Sequence, residues 1–325
     1  MNTGTKWNPL NAFQRGYTLS KRWIASAPGS LMITGEHAVL YEYPAIVCAI
    51  NIRLRVYLTP REDSIIRLES QLGHYQSTVE NFNFIPALGF VSAIILHFRE
   101  QLPSGFDMRI ESLYLPMGLG SSAAVSVATY AALYHWIYNK IPSGILIFER
   151  VLTLIRQLQG RASGADVAAS VWGGTLYYET SRLPTVLPLL PPFQAIYTGY
   201  KTPTASVINR IQREFHYYQG HLENLYAHIS ECSFLAKRAI QIQDWEMLGK
   251  IFNQQQVLME NLGVSDPTTQ KILSYLHQQD TVRGAKISGA GLGDCVIALG
   301  KLTPTKNIKL FTVYPDQLGV RYECA

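Results

Sequence analysis

Residues 115–134 read LPMGLGSSAAVSVATYAALY. Gly118 and Gly120 let a backbone approach a ligand closely and take positive φ. Ser121 or Ser122 can cap the helix that follows. The unpaired N–H groups of such a helix start, together with its dipole, favour an anion such as phosphate, and a serine hydroxyl there can ligate magnesium. The same pattern also fits an ordinary capped core helix. A second segment, GRASGADVAASVWGG at 160–174, sets Asp166 among small and apolar residues. A lone carboxylate is costly to bury unless it is paired or functional. Either it sits in a first helical turn, where the dipole favours it, or it accepts the proton of a hydroxyl that attacks a phosphoryl group. The third segment, KISGAGLGDCVIALG at 286–300, is a glycine-rich turn between two strands. Alone it says little, since hairpins also use glycine. No acidic residue follows it on a helix as the dinucleotide fingerprint requires, and no stretch reads G-x-x-x-x-G-K-[ST].

These segments need elements to hold them. Residues 24–27 predict a strand, with Gly29 and Gly35 breaking the following stretch into strand, turn and strand. Residues 45–59 alternate from Ile50 onward and predict a long half-buried strand. Two short strands at 64–69 and 74–79 precede a helix at 86–101 and a strand at 106–112. Helices at 119–138, 144–158 and 163–172 carry or flank the first two segments, and a strand at 173–178 closes this part. Four prolines in RLPTVLPLLPP mark a boundary, dividing the chain into 1–182 and 183–325. Beyond it come a strand at 193–197, a helical stretch at 205–262 broken near Asp244, a helix at 268–278, and strands at 285–287, 295–299 and 309–314. This order is α+β rather than a regular β–α alternation.

Composition sets outer limits. The chain has 325 residues, 47% of them apolar, enough for a sizeable core, and only 16% charged. No apolar run is long enough to span a membrane, and the basic N-terminal stretch lacks the apolar segment of a secretory signal; a loose arm or partly ordered strand is expected there. Cys48, Cys232, Cys295 and Cys324 are far apart, which predicts reduced thiols in a cytoplasmic protein rather than a zinc site or disulfide framework. A net charge of +5 suits an anionic small substrate and is too scattered to argue for nucleic acid.

SAPGSLMITGEHAVLY at 26–41, LPMGLGSSAA at 115–124 and KISGAGLGDCVIAL at 286–299, in this order, resemble the first, second and third motifs of the galactokinase–homoserine kinase–mevalonate kinase–phosphomevalonate kinase superfamily, and the resemblance covers nearly the whole chain from residue 24 to 299. Within it the chain is most similar to mevalonate kinases: GEHAVLYEYPA at 35–45 resembles their G-E-H-A-V-x-Y-G-x-P-A signature. SGADVAAS resembles the helix that carries the catalytic aspartate, a role this implies for Asp166. LMENLGVSDPTTQKIL at 258–273 resembles a family stretch near the substrate pocket. The resemblance implies two α+β lobes, a ribosomal-protein-like β–α lobe and then a ferredoxin-like lobe, with the active site in the cleft. It implies ATP and magnesium as cofactors. Gly118, Leu119, Gly120, Ser121, Ser122 and Ala123 would meet the phosphates, with Gly289, Gly291 and Gly293 closing over them. Magnesium would sit on Ser121 or Ser122, and Glu36 and His37 would line the acceptor side. The implied reaction is ATP-dependent phosphorylation of mevalonate to 5-phosphomevalonate in isoprenoid precursor synthesis. No nucleic-acid or membrane partner is implied, and a homodimer is left open.

Several positions depart from the family pattern. Ser30 stands where the family has a lysine after A-P-G, so Arg161, Lys201 or another cation is expected to substitute, or the activity differs. The family's magnesium-ligating glutamate aligns near Ile155, where neither Arg156 nor Gln157 replaces it. The phosphate loop is a residue or two shorter ahead of Gly118. Leu292 and Asp294 occupy positions where glycine is commoner, and YTGYKTPTAS at 197–206 is as similar to phosphomevalonate kinases. Two alternatives therefore stand beside the first: a phosphomevalonate kinase, or a non-catalytic ligand-binding relative. His37 can also be a hydrogen-bonded structural residue, and Glu36 a buried partner of Arg53 or Arg55.

Overall fold

A computed structural model describes residues 21–112, 119–302 and 309–324. The expected N-terminal arm and Gly118 lie outside the described residues. The fold is α+β, built on two sheets. The first contains β1 (Trp23–Thr34), β2 (Ala45–Pro60), β3 (Ile65–Ser70), β4 (Gly73–Thr78), β5 (Phe106–Ser112), β6 (Thr175–Tyr178), β7 (Thr185–Leu187) and β12 (Arg321–Cys324). Its order is β12-β1-β2-β5-β3-β4, with β6 joined to β2 and β7 to β6. The second sheet is antiparallel, ordered β11 (Lys309–Val313), β8 (Phe193–Tyr197), β10 (Cys295–Gly300), β9 (Val282–Ser288).

The 16-residue β2 organises the first sheet. Residues 45–48 pair with β6 and residues 54–60 with β5, so one strand serves two halves of the sheet. The alternation read from the sequence is realised from Leu54 onward: Leu54, Val56 and Leu58 are buried against helices α1 (Gly89–Phe98), α2 (Ser121–Tyr138), α3 (Gly144–Gln159) and α4 (Ala165–Trp172). Ile50 and Ile52 instead face the other core, because the pairing with β1 shifts register between Ile50 and Arg53. Nearer the start of β2, Ile46, Cys48 and Ile50 join Leu31 and Ile33 of β1 in a second core beneath α6 (Gln219–Gln241) and α7 (Trp245–Asn261). The central pair of strands thus belongs to both cores and ties the two sheets together.

Around the second sheet stand α5 (Thr204–Glu214), α6, α7 and α8 (Pro267–His277). Helix α7 lies so close to β9 that a Cβ on Gly249 or Gly284 would run into the other element's backbone. Only glycine allows that approach.

Four expectations need correction. Gly29 does not break the first strand; β1 runs unbroken through it, and a register shift between Pro28 and Gly29 absorbs the irregularity. The expected helix over 86–101 is α1 flanked by short 3-10 turns. The helical stretch 205–262 has two breaks, the unexpected one over residues 215–218, where Phe215, His216 and Tyr218 make turn hydrogen bonds without any glycine or proline. Finally, β7 and β12 lie beyond residue 182 yet belong to the first sheet. The C-terminal segment is locked there: Arg53 binds Asp316 at 2.6 Å and the carbonyls of Leu318 and Gly319. Arg55 pairs with Glu323 at 3.5 Å, so neither arginine is the partner of Glu36.

Candidate active site

Helix α2 begins without a side-chain cap. Gly120, not Ser121 or Ser122, occupies the N-cap position with φ 68°, a conformation costly for residues with a Cβ. Any Cβ there would overlap the hydroxyl and backbone of Ser30. The N–H groups of the first turn therefore receive no side-chain partner and stay available to a ligand. Ser122 is exposed and, with the buried Ala123, borders a cavity, whereas the Leu119 side chain is fully buried in the second core and contributes its carbonyl, which accepts from the Ser30 N–H at 3.0 Å.

Asp166 is the second residue of α4, behind Gly164 with φ 95°. It is exposed, in contrast to its buried neighbours Ala165 and Val167. Ser163 accepts from the Ala165 N–H at 3.2 Å, and its carbonyl accepts from the buried Tyr178 hydroxyl at 2.6 Å, fixing the turn. The Asp166 Oδ1 atom accepts a hydrogen bond from Ser30 Oγ at 2.8 Å. One side chain from β1, one glycine at the start of α2 and one carboxylate at the start of α4 thus meet at one point.

Two cavities open on either side of that point. The smaller, about 170 Å³, is bordered by Glu36, His37, Val39, Ile155, Arg161, Gly289 and Ala290. The larger, about 410 Å³, is bordered by Ser30, Gly120, Ser121, Lys201, Ser288 and Asp294. Asp166, Ser122, Ala123 and Arg161 line both. A third cavity, about 310 Å³ and walled by Leu54, Leu72, Leu88, Phe90, Val91, Ile110 and Val125, adjoins Ser121 and Ser122 from the other side.

Glu36 and His37 follow β1 and reach the second sheet. Glu36 is buried and accepts from the ammonium of Lys286 on β9 and from the Gln255 amide on α7. Burial pulls the Lys286 ammonium below the usual lysine range, and Glu36 opposes that pull. His37, at φ 60°, places Nε2 2.9 Å from the Ala290 carbonyl. A carbonyl accepts only, so this nitrogen carries the proton and Nδ1 is an acceptor. Burial lowers the His37 pKa to about 4, with the Ala290 contact opposing, which keeps the ring neutral near pH 7. Ser288 adds a third tie, donating to the Met32 carbonyl at 2.9 Å. These contacts tie the end of β1 and the turn after it to β9 and the third segment, and Glu36 and His37 also border the smaller cavity.

The glycine turn after β9 divides its labour. A Cβ on Gly289 would make only an ordinary contact with the Asp294 carboxylate, at 3.6 Å, and Gly289 borders the smaller cavity. Gly291 does not line either cavity: it sits against Val264, whose carbonyl accepts from Leu292 N–H at 2.8 Å. Gly293 packs on the Tyr200 ring. Asp294, at φ 70°, pairs with Lys201 at 3.0 Å. Ile155, at the position where the resemblance calls for a metal-binding glutamate, is an apolar wall of the smaller cavity.

Comparison with known proteins agrees with this architecture. Residues 89–174 match the GHMP kinases N terminal domain and residues 236–309 the GHMP kinases C terminal domain. A mevalonate kinase of Archaeoglobus fulgidus is 31% identical over 306 residues, covering 92% of this chain and 99% of its own. The chain belongs to the GHMP kinase family. A mevalonate kinase of Thermococcus gammatolerans is 28% identical over 302 residues, covering 86% and 89% of the two chains. The crystal structure of the Methanococcus jannaschii mevalonate kinase superposes with a TM-score of 0.74 at 22% identity, covering 90% and 98%. As a GHMP kinase this chain is a small-molecule kinase with ATP as its phosphoryl donor. No described helix is long and apolar enough to cross a membrane.

The site contains residues that motif reading alone did not supply. Lys286 and Gln255, the partners of Glu36, carry no motif signal beyond a charged residue between Ala285 and Ile287 in the buried part of β9. Thr204 and Gln159 border both cavities and lie in no motif.

Proposed function

We propose that this chain transfers the γ-phosphoryl group of ATP to the hydroxyl of mevalonate, with Asp166 as the residue that orients the hydroxyl and takes its proton. The observation that carries the reading is the place of Asp166: an exposed carboxylate shared by two cavities, facing an uncapped helix start. The triphosphate occupies the larger cavity on the N–H groups of α2, its base in the apolar cavity behind Ser121 and Ser122. Mevalonate occupies the smaller cavity, its carboxylate near Arg161.

Phosphoryl transfer asks a protein chiefly for positioning and electrostatic stabilisation. Ser30 occupies one oxygen of Asp166 and fixes its rotamer, leaving the other toward the acceptor hydroxyl. Glu36, His37 and their partners on β9, α7 and the glycine turn hold the acceptor wall rigid. The donor set suits magnesium: Ser121, Ser122 and Asp166 are hard oxygen donors beside a triphosphate, and magnesium needs only one or two protein ligands when phosphates supply the rest. These residues would hold the ion, which supplies neutralisation of phosphate charge. Gly118, outside the described residues, is proposed to complete the loop, and Gly291 to support the third turn through Val264 rather than by touching nucleotide. The reading keeps the division into lobes near residue 182, with the C-terminal strand added back to the first lobe, and places the enzyme in the cytoplasm in isoprenoid precursor synthesis. A homodimer is compatible with it.

The test is ADP release from ATP with magnesium in the presence of mevalonate, phosphomevalonate, homoserine or galactose. Mevalonate is the acceptor expected to support turnover. Turnover of phosphomevalonate alone would replace the substrate, and nucleotide binding without turnover of any of the four would place the chain among ligand-binding relatives.

A further inference from the structure

The charge inventory of the larger cavity exposes a need. A bound triphosphate would lie beside Asp166, itself an anion, while the groups that meet at that point, Ser30, Gly120, Ser121 and Ser122, are neutral. In phosphoryl transfer negative charge spreads over the equatorial oxygens, and a fixed cation is the usual protein response. Two cationic side chains border this cavity, Arg161 and Lys201. Arg161 also borders the smaller cavity with Glu36 and His37, whereas Lys201 borders the larger one only, together with Ser30 and Gly120.

We propose that Lys201 is a catalytic residue whose ammonium contacts the transferring phosphoryl group, and that Asp294 is the positioning residue that holds it there. The inference rests on the kinase reading above and names the cation that reading lacks. Lys201 Nζ lies 3.0 Å from Asp294 Oδ2. Asp294 is nearly fully buried and its backbone is fixed on both sides: its N–H donates to the Tyr200 carbonyl at 2.7 Å, and its carbonyl accepts from the Thr198 N–H at 2.9 Å. Thr202 donates to the Leu292 carbonyl at 2.6 Å, tying the lysine's own loop to the glycine turn. The lysine therefore approaches the cavity from a braced loop between β8 and α5, with its side chain still 37% exposed. Burial draws the ammonium down, but Asp294, and Asp166 across the cavity, more than offset this and hold it above the usual lysine range. The charge is present throughout the working pH range. Pairing with Lys201 also keeps the Asp294 carboxylate from repelling phosphate.

The experiment compares the intact enzyme with Lys201→Met, Lys201→Arg, Asp294→Asn and Arg161→Met, measuring kcat and the affinities for magnesium–ADP and for a non-hydrolysable magnesium–ATP analogue. Lys201→Met is expected to lower kcat about 100-fold and to weaken the triphosphate analogue about tenfold, with ADP affinity within about twofold. Lys201→Arg should keep the preference for triphosphate. Asp294→Asn should lower kcat with little change in acceptor KM, the sign of a misplaced cation rather than a damaged pocket. Unchanged triphosphate preference in Lys201→Met, equal weakening of both nucleotides, or loss of that preference in Arg161→Met instead would overturn the proposal. Turnover of mevalonate by the unaltered enzyme tests the kinase reading separately, and the nucleotide comparison stands whatever the acceptor.

Discussion

Ser30 donates a hydrogen bond to Asp166 at 2.8 Å across a sequence separation of 136 residues. Where the resemblance calls for a lysine, a neutral hydroxyl instead holds the carboxylate. Ser30 is nearly fully buried, and its own N–H is taken by the Leu119 carbonyl, so its position is set by the start of α2. The start of α2 and the Asp166 carboxylate are therefore placed relative to each other by one serine.

Replacing that serine tests the coupling. Ser30→Ala removes the hydrogen bond and leaves the backbone tie to Leu119. The expected outcome is a fall in kcat of about tenfold with nucleotide affinity unchanged, because an Asp166 free to change rotamer loses alignment rather than charge. Steady-state kinetics with a nucleotide-binding measurement separates the two; weakened nucleotide binding at full kcat would mean that Ser30 serves the loop and not the carboxylate.

The Glu36–Lys286 pair predicts a stability signature. Both side chains are buried, on elements 250 residues apart in sequence. Lys286→Met leaves Glu36 with an amide partner only, and breaking a buried pair this way costs about 3–5 kcal/mol. The double variant Glu36→Gln with Lys286→Met removes both charges and should recover much of that loss. Urea unfolding of the wild type, both single variants and the double variant forms the cycle; additive losses would show that the two charges do not depend on each other.

His37 gives the fold a pH dependence. Its pKa is about 4 when folded against an ordinary value of 6.5. A depressed folded pKa means that the unfolded chain binds the proton more readily. Its contribution to stability is complete above the unfolded value and is lost as pH falls toward 4, on the order of 3 kcal/mol in all. His37→Gln retains a donor for the Ala290 carbonyl without a titrating ring. Unfolding free energies at neutral pH and at about pH 4.5 should therefore differ less in the variant than in the wild type; an identical difference would show that His37 is not the titrating group.

Much of the candidate site was legible in the sequence because its signals are local. Glycines before a serine pair, an aspartate in a small-residue helix and an alternating strand each declare themselves within a few residues. What escaped depends on register and distance. Arg53 and Arg55 have the charge to partner Glu36, but the strand carries them toward Asp316 and Glu323, while Lys286 arrives from the other sheet. A lysine within the buried end of β9 was the available hint, since such a charge demands a partner. The helix cap went to Gly120 rather than a serine because the helix start packs directly on Ser30, leaving no room for a side chain. The break over residues 215–218 and the short strands β7 and β12 are set by tertiary contacts that no local pattern encodes.

The central claim is that Asp166 activates the acceptor hydroxyl opposite the phosphate-binding helix. Asp166→Asn keeps the size of the side chain and an oxygen for Ser30 while removing the base. Phosphorylated product can be followed by phosphorus NMR with ATP, magnesium and mevalonate, alongside nucleotide affinity. The wild type is expected to form phosphomevalonate, and the variant to bind ATP normally while product formation falls by about 10²–10⁴-fold. Product formation by the variant at the wild-type rate would contradict the account.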